Sequence, residues 1–310
     1  MKRRNLLTAG AGLAALATLT ACGGSSDPLA SADSTATAGG SAAGDSIVVG
    51  SANFPESELL ADIYAGALKA KGVAVTTKLN IASRETYIPA LQKGEINLVP
   101  EYTGNLARYL DKSADISDSD KALASLKKAL PDTLTALTPS AAEDKDSMVV
   151  TRATADKYSL KTIGDLSAHA AELVLGAPPE FKTRVDGVDG LKRVYGLTFK
   201  QFKALDAAGP LSVQALKNGQ VQVANLFSTD PNVAANDFVV LDDPKFLFGA
   251  QNIVPVVTKA KASEAVTAAL DAVSAKLTTE VVTDLVKKVV IDKEDAADVA
   301  DAWLKDNQLV

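Results

Sequence analysis

The sequence predicts an α/β protein of two similar lobes facing a cleft, and three observations predict it. From Ile47 onward, short β-branched runs alternate with apolar residues at helical spacing, the pattern of a sheet covered by helices. A stretch of the first half returns in the second at a constant offset of 125, Ala90-Leu91-Gln92-Lys93-Gly94-Glu95-Ile96-Asn97-Leu98 against Ala215-Leu216-Lys217-Asn218-Gly219-Gln220-Val221-Gln222-Val223, so each half repeats a helix, a glycine stop and a strand. The C-terminal part holds three helical patterns with little strand between them, Ala262–Leu277, Thr279–Val289 and Glu294–Lys305, which read as a packed helical segment.

The chain begins with a different kind of segment. Lys2, Arg3 and Arg4 precede an apolar run from Leu6 to Ala21 that ends in Leu19-Thr20-Ala21-Cys22. The run is shorter than the roughly 20 residues of a spanning helix, and basic, apolar and small residues in that order are a signal peptide with a lipobox. Residues 1–21 are read as the signal peptide and Cys22 as the lipidation site. The Arg3-Arg4 pair fits a twin-arginine signal as well as an ordinary leader, so the export route stays open. Residues 22–45 contain almost no large apolar side chain and are read as a flexible tether.

In the folded part, Ile47-Val48-Val49 reads as a strand, and Leu59, Leu60, Ile63, Ala67 and Leu68 as a helix stopped by Lys71-Gly72. Val73–Leu79 follows as a strand, then a helix ending at Gly94 and a strand at Ile96–Val99. Two apolar runs, Met148-Val149-Val150 and Ile253-Val254-Pro255-Val256-Val257, mark where the chain enters the second lobe and where it has come back. The expected domains are 46–147 with 254–310 as the first lobe and 148–253 as the second.

Composition removes several function classes. The 310 residues are 47% hydrophobic and 23% charged, a globular balance. The net charge is -6, and loss of Lys2, Arg3 and Arg4 with the leader makes the exported chain more acidic still; with no basic stripe, a nucleic-acid partner is not expected. One Cys and one His argue against cysteine-ligated zinc, disulfides and most histidine-based catalysis. His169 stands alone in Ser167-Ala168-His169-Ala170 and reads as a surface or helix-end residue. Asp186-Gly187-Val188-Asp189-Gly190 lacks the spacing and the terminal Glu of a calcium loop and reads as a plain turn. No catalytic, metal or cofactor residues are assigned. Glu101, Glu180 and Asp230 near loops leave a carboxylate-based extracytoplasmic enzyme open as an alternative.

The ligand candidates come from the echo and from the few aromatics. Carried forward, the offset sets Tyr102 opposite Phe227 and Thr103 opposite Ser228, each pair just past a strand's C-terminal end, where open α/β sheets bind ligands. Phe54 and Phe181 also sit beside turn residues, whereas Tyr64, Tyr109 and Trp303 fall on helical faces and read as packing. Aromatic faces attract ligand cations and Arg forks hold carboxylates, so a cleft with both suits a small zwitterion.

Four separated segments, Ile47-Val48-Val49-Gly50-Ser51-Ala52-Asn53-Phe54-Pro55-Glu56-Ser57, Pro100-Glu101-Tyr102-Thr103-Gly104, Gly176-Ala177-Pro178-Pro179-Glu180-Phe181 and Asn225-Leu226-Phe227-Ser228-Thr229-Asp230, occur in order behind the lipobox. Together they resemble the glycine betaine/carnitine/choline-binding lipoproteins of ABC importers, over about residues 46–290. The resemblance implies a two-lobed periplasmic-binding-protein fold of type II-like form, acting as a monomer, that closes over an osmoprotectant and hands it to a permease and its ATPase at the outer face of the cell membrane, with no reaction and no cofactor. It implies an aromatic cage in which Tyr102 and Phe227 take part, Phe227 standing where a tyrosine is usual and Val188 where another is expected. Arg84, in Ala82-Ser83-Arg84-Glu85-Thr86-Tyr87, replaces a small or hydroxyl residue and is expected to add a cation that disfavours choline and favours a carboxylated ligand, with Tyr87 one turn on as a further aromatic wall. Arg184 either orients the ligand or pins the cleft loop, and Asn53 offers an amide at the first helix. The ligand set is therefore Asn53, Phe54, Ser83, Arg84, Tyr87, Tyr102, Thr103, Phe181, Arg184, Phe227 and Ser228, with a different carboxylated or aromatic metabolite as the alternative cargo.

Overall fold

A computed structural model describes residues 46–310; the expected signal peptide, Cys22 and the tether lie outside the described residues. The chain runs β1 (Ile47–Gly50), α1 (Pro55–Ala70), β2 (Val75–Lys78), α2 (Arg84–Gln92), β3 (Leu98–Tyr102), α3 (Thr103–Leu110), α4 (Ser119–Ala129) and β4 (Leu134–Ala136) before it crosses. The second lobe follows with β5 (Asp146–Thr151), α5 (Arg152–Tyr158), β6 (Val174–Ala177), α6 (Val188–Tyr195), β7 (Gln201–Ala204), α7 (Pro210–Lys217), β8 (Val223–Phe227), α8 (Asn232–Ala235) and β9 (Phe238–Leu241). The chain then returns through β10 (Ile253–Thr258) to α9 (Glu264–Ser274), α10 (Thr279–Val290) and α11 (Ala296–Asp306).

Two five-stranded sheets result, ordered β2-β1-β3-β10-β4 and β7-β6-β8-β5-β9. In each, three parallel strands are followed by an antiparallel one from beyond a crossing, β10 against β3 and β5 against β8. Both sheets carry an apolar cluster on each face, and the first is covered on one side by α1, α10 and α11, with Tyr64 and Trp303 in that core. Gly66 lets α11 approach α1: a Cβ there would lie 2.5 Å from Leu304 Cδ1.

The echo at offset 125 is structural. β3 and β8, the middle strands of the two sheets, are its strands, and Tyr102 and Phe227 end them. Gly94 (φ +75°) and Gly219 (φ +67°) both take the left-handed conformation that closes the preceding helix. Glu95 N–H donates to Ala90 O at 2.9 Å and Gln220 N–H to Ala215 O at 2.8 Å, the same six-to-one closure twice. Even the next side chains match in task, since Asn97 Oδ1 and Gln222 Oε1 accept from the first parallel strand at Val48 N (2.9 Å) and Val174 N (3.0 Å). The boundaries of individual elements differ by one to three residues from the sequence reading, the strand expected at Met148–Val150 running from Asp146 to Thr151.

The two crossings pair with each other. Glu143 and Asn252 form an antiparallel bridge, Ile253 N–H donates to Ala142 O (3.0 Å) and Asp144 N–H to Gln251 O (3.2 Å). Gln251, fully buried, donates to Asn105 Oδ1 and Phe248 O and accepts from Asn105 N. A hydrogen-bonded two-strand hinge thus joins the lobes. Among the described residues no helix is long and apolar enough to cross a membrane.

Candidate functional site

The cleft between the lobes holds about 520 Å³ of empty space, mouth included. Asn53, Phe54, Ser83, Arg84, Tyr87 and Tyr102 line it from the first lobe and Arg184 and Phe227 from the second. The echo explains part of this, because β3 and β8, one in each sheet, both end at the cleft and deliver Tyr102 and Phe227 to its wall. Phe54, the residue before Pro55 starts α1, touches both: its ring centroid is 6.2 Å from that of Tyr102 and 5.0 Å from that of Phe227, the latter contact bridging the lobes.

Arg84 opens α2 and lies over β3, where Glu101 is fully buried. The fork is bidentate, Nε to Oε1 and Nη2 to Oε2, both 2.8 Å. Tyr87 OH donates to Oε1 (2.7 Å) and Tyr102 N–H to Oε2 (3.0 Å). Burial alone would lower the Arg84 pKa, yet the Glu101 charge and its hydrogen bonds hold it well above the ordinary guanidinium value. Arg84 was expected to add a cation near the pocket; it does line the cleft, but its charge is met within its own lobe by Glu101.

A second polar cluster lies behind Tyr102. Its hydroxyl donates to Glu56 Oε1 at 2.7 Å, and the Thr229 hydroxyl, from the opposite lobe, donates to Glu56 Oε2. Asp144, in the outgoing crossing, accepts from Ser228 Oγ and from Thr229 N–H, each at 3.1 Å. Burial raises the pKa of both acids and mutual repulsion adds to that of Asp144, although the Thr229 and Tyr102 hydroxyls pull Glu56 partly back. Two such carboxyls side by side titrate as a pair and hold a proton at pH values where an exposed acid has lost it. Asp146, at the start of β5, accepts from Asn225 Nδ2 at 2.9 Å and, across the cleft, from Asn105 Nδ2 at 3.2 Å.

Arg184 reaches across from the second lobe. Its Nε and Nη2 meet Glu85 Oε1 and Oε2 at 3.1 and 3.0 Å, and Glu180 stands at 3.9 Å. Partial burial would raise the Glu85 pKa, but the Arg184 hydrogen bonds and charge outweigh it and bring it down to about 2.

Thr103, Phe181 and Ser228 are not on the cleft wall. Thr103 is buried at the hinge, its Oγ accepting from Asn252 N–H at 3.1 Å; Phe181 is in the second-lobe core, 1% exposed; Ser228 ties the crossing through Lys145 N and Asp144. Val188, where a cage tyrosine was expected, starts α6 and packs on that same core. His169 stacks on Tyr158 with centroids 4.3 Å apart, and Arg152 pairs with exposed Asp237. Asn105, Asp144, Asp146 and Asn225, which also line the cleft, were not picked out by sequence reasoning. The one available signal was the acidic run Glu143-Asp144-Lys145-Asp146 directly before a predicted strand at a lobe crossing. Among the described residues no group of His, Cys, Asp or Glu is placed to hold a metal ion.

Comparisons with known proteins agree on this architecture. The glycine betaine-binding protein YehZ of Escherichia coli is 28% identical over 273 residues, 84% of this chain and 90% of that protein. The carnitine transport binding protein OpuCC of Listeria monocytogenes is 28% identical over 215 residues, 67% of this chain and 69% of that one. A crystal structure described as a glycine betaine/carnitine/choline ABC transporter superposes with a TM-score of 0.67 at 24% identity, covering 85% of this chain and 99% of its own, which establishes the two-lobed fold. Residues 45–306 match the family described as the substrate binding domain of ABC-type glycine betaine transport systems, and the chain belongs to that family of solute-binding proteins, which are not enzymes.

Proposed function

We propose that the protein captures a small quaternary amine or zwitterion of the glycine betaine, choline and carnitine type in this cleft and delivers it to an ABC permease. The observation that carries the reading is the set of rings on the cleft wall: Phe54 and Tyr102 from one lobe and Phe227 from the other, with Phe54 in ring contact with both. Aromatic faces favour a methylated cation that has no N–H to donate. The names of YehZ and OpuCC support the same class of cargo. In this reading Phe54, Tyr102 and Phe227 form the cage, Tyr87 and Ser83 its margin, and the two lobes, with Asp146 and Ser147 of β5 in the second instead of the first as the expected bounds had them, close about the paired crossings. Binding favours the closed form because only there do both walls touch the cargo. Removal of residues 1–21 and lipidation of Cys22 would hold the domain at the outer face of the cell membrane on the 22–45 tether.

The test is the thermal stability of residues 46–310 against glycine betaine, choline, carnitine, proline betaine, ergothioneine, amino acids, sugars and small phenolics. A true ligand at 100 times its Kd adds about 2.7 kcal/mol. A shift with quaternary amines alone supports the reading; a shift only with other carboxylated or aromatic compounds replaces it with a different cargo for the same fold.

A further inference from the structure

The two guanidinium groups on the cleft wall are engaged in different ways. Arg84 is paired inside its own lobe with a fully buried Glu101, its own side chain only 7% exposed. Arg184 is paired across the cleft with Glu85, and that pair is more open, at 23% and 40% exposed. Both forks are bidentate, the geometry in which guanidinium holds a carboxylate. By contrast Asp144, Asp146 and Glu180 line the same cleft, and among the described residues neither Asp144 nor Asp146 has a cation at ion-pair distance. A cargo carboxylate entering this cleft therefore finds both guanidinium forks on the wall already filled, one by a buried partner within its own lobe and one by a partner that sits on the opposite lobe.

We infer that Glu85 is a built-in substitute for a cargo carboxylate: it fills the Arg184 fork when the lobes meet, so the cleft selects cargo through its cationic part and penalises cargo whose carboxylate must evict Glu85. The inference rests on the proposed cargo class only for its second readout. Two chemical consequences separate it from a simple closure latch. A latch contributes equally to the binding of every cargo, whereas a carboxylate substitute changes the affinity ratio of zwitterion to cation. A substitute also competes with any free carboxylate, whatever the physiological cargo is.

The experiment compares the wild-type chain, Glu85→Gln, Arg184→Gln and the double variant. Glu85 is half exposed and lies on the first turn of α2, so the amide should leave folding intact, and urea unfolding checks that. The first readout is the side-chain Nε–H resonance of Arg184 during an acetate titration. In Glu85→Gln acetate should shift that resonance saturably, with half-saturation at least about tenfold lower than in wild type. Equal acetate responses in the two proteins overturn the inference. The second readout is the ratio of glycine betaine to choline affinity by calorimetry. Glu85→Gln should raise it about tenfold, and the double variant should return it toward the wild-type value; a ratio within twofold of wild type, with both affinities reduced alike, reduces Glu85 to a latch and overturns the inference. If neither compound binds any variant while the acetate difference holds, the cargo reading fails and the role of Glu85 stands.

Discussion

Replacing Arg84 by methionine should cost this protein much of its stability without any ligand being involved. The guanidinium makes two 2.8 Å bonds to Glu101, whose side chain is wholly buried, and Arg84 itself is only 7% exposed. Methionine fills similar space but leaves Glu101 with only Tyr87 OH and Tyr102 N–H as donors. Removing one partner of a buried ion pair costs about 3–5 kcal/mol, because the remaining charge stays desolvated. For chains of this size about 2–4 °C of Tm accompanies each kcal/mol, so the midpoint should fall by roughly 6–20 °C. The double variant Arg84→Met/Glu101→Gln removes both charges while keeping an amide oxygen as acceptor, and it should recover at least about half of the loss. Urea unfolding followed by circular dichroism, with m compared between variants, gives each value. A loss under about 1 kcal/mol in Arg84→Met, or simple additivity in the double variant, would refute the reasoning that Arg84 is a structural cation instead of a ligand hook.

Three further outcomes follow from the same geometry. Glu56 and Asp144 have raised pKa values, so the folded state binds more protons than the unfolded one, and their contribution to stability is lost as pH rises above the ordinary carboxylate range. Unfolding midpoints should therefore increase from pH 8 to pH 5, and Asp144→Asn, next to Asp146, Glu56, Thr229 and Tyr102, should flatten that slope; below about pH 4 the trend should reverse as Glu85, held down near 2, is protonated. Gly104→Ala places a Cβ 2.4 Å from Ala250 O and 2.8 Å from Gln251 Nε2 at the return crossing, and should cost about 1–3 kcal/mol by denaturant titration while changing inter-lobe distances in small-angle scattering. Phe227→Ala removes a partly buried ring and should weaken binding far more than it lowers Tm, whereas Tyr102→Ala removes a buried ring and the donor to Glu56, and should lower both; equal Tm losses in the two variants would contradict this difference in burial.

The repeated sheet was legible because its signals are local. A left-handed glycine after a helix and a β-branched strand behind it are dictated by backbone sterics and by burial on both faces, and both copies kept them at Gly94 and Gly219. The strand ends carry the wall aromatics for the same reason, and Tyr102 and Phe227 are where the offset set them. The charges were not legible. Glu101 is 17 residues from Arg84, and Glu56 finds Thr229 across 173 residues, so nothing in the local pattern says that these acids neutralise or bond each other. Thr103 and Ser228 obeyed the offset yet turn to the hinge and the crossing, since a hydroxyl beside a strand end can satisfy backbone as readily as cargo.

The links between lobes bear on how any affinity of this protein should be understood. Arg184 to Glu85, Thr229 to Glu56, Asp146 to Asn105 and Phe227 to Phe54 all bridge the cleft, and each uses a residue that lines it or is bonded to one that does. The hinge, by contrast, is held largely by backbone pairing and by Gln251, and meets the cleft wall only at Asn105 and at Asp144, through its backbone N–H to Gln251 O. If the protein closes over its cargo as proposed, closure strength and cargo recognition lie in the same side chains. The apparent Kd is the intrinsic one divided by the fraction of molecules in the competent form, so a substitution at any of these four links changes affinity through both factors at once. A single cargo titrated against a single variant cannot separate them, whereas two cargoes of different charge can: the closed fraction is common to both and cancels from their ratio, leaving the direct contacts in view.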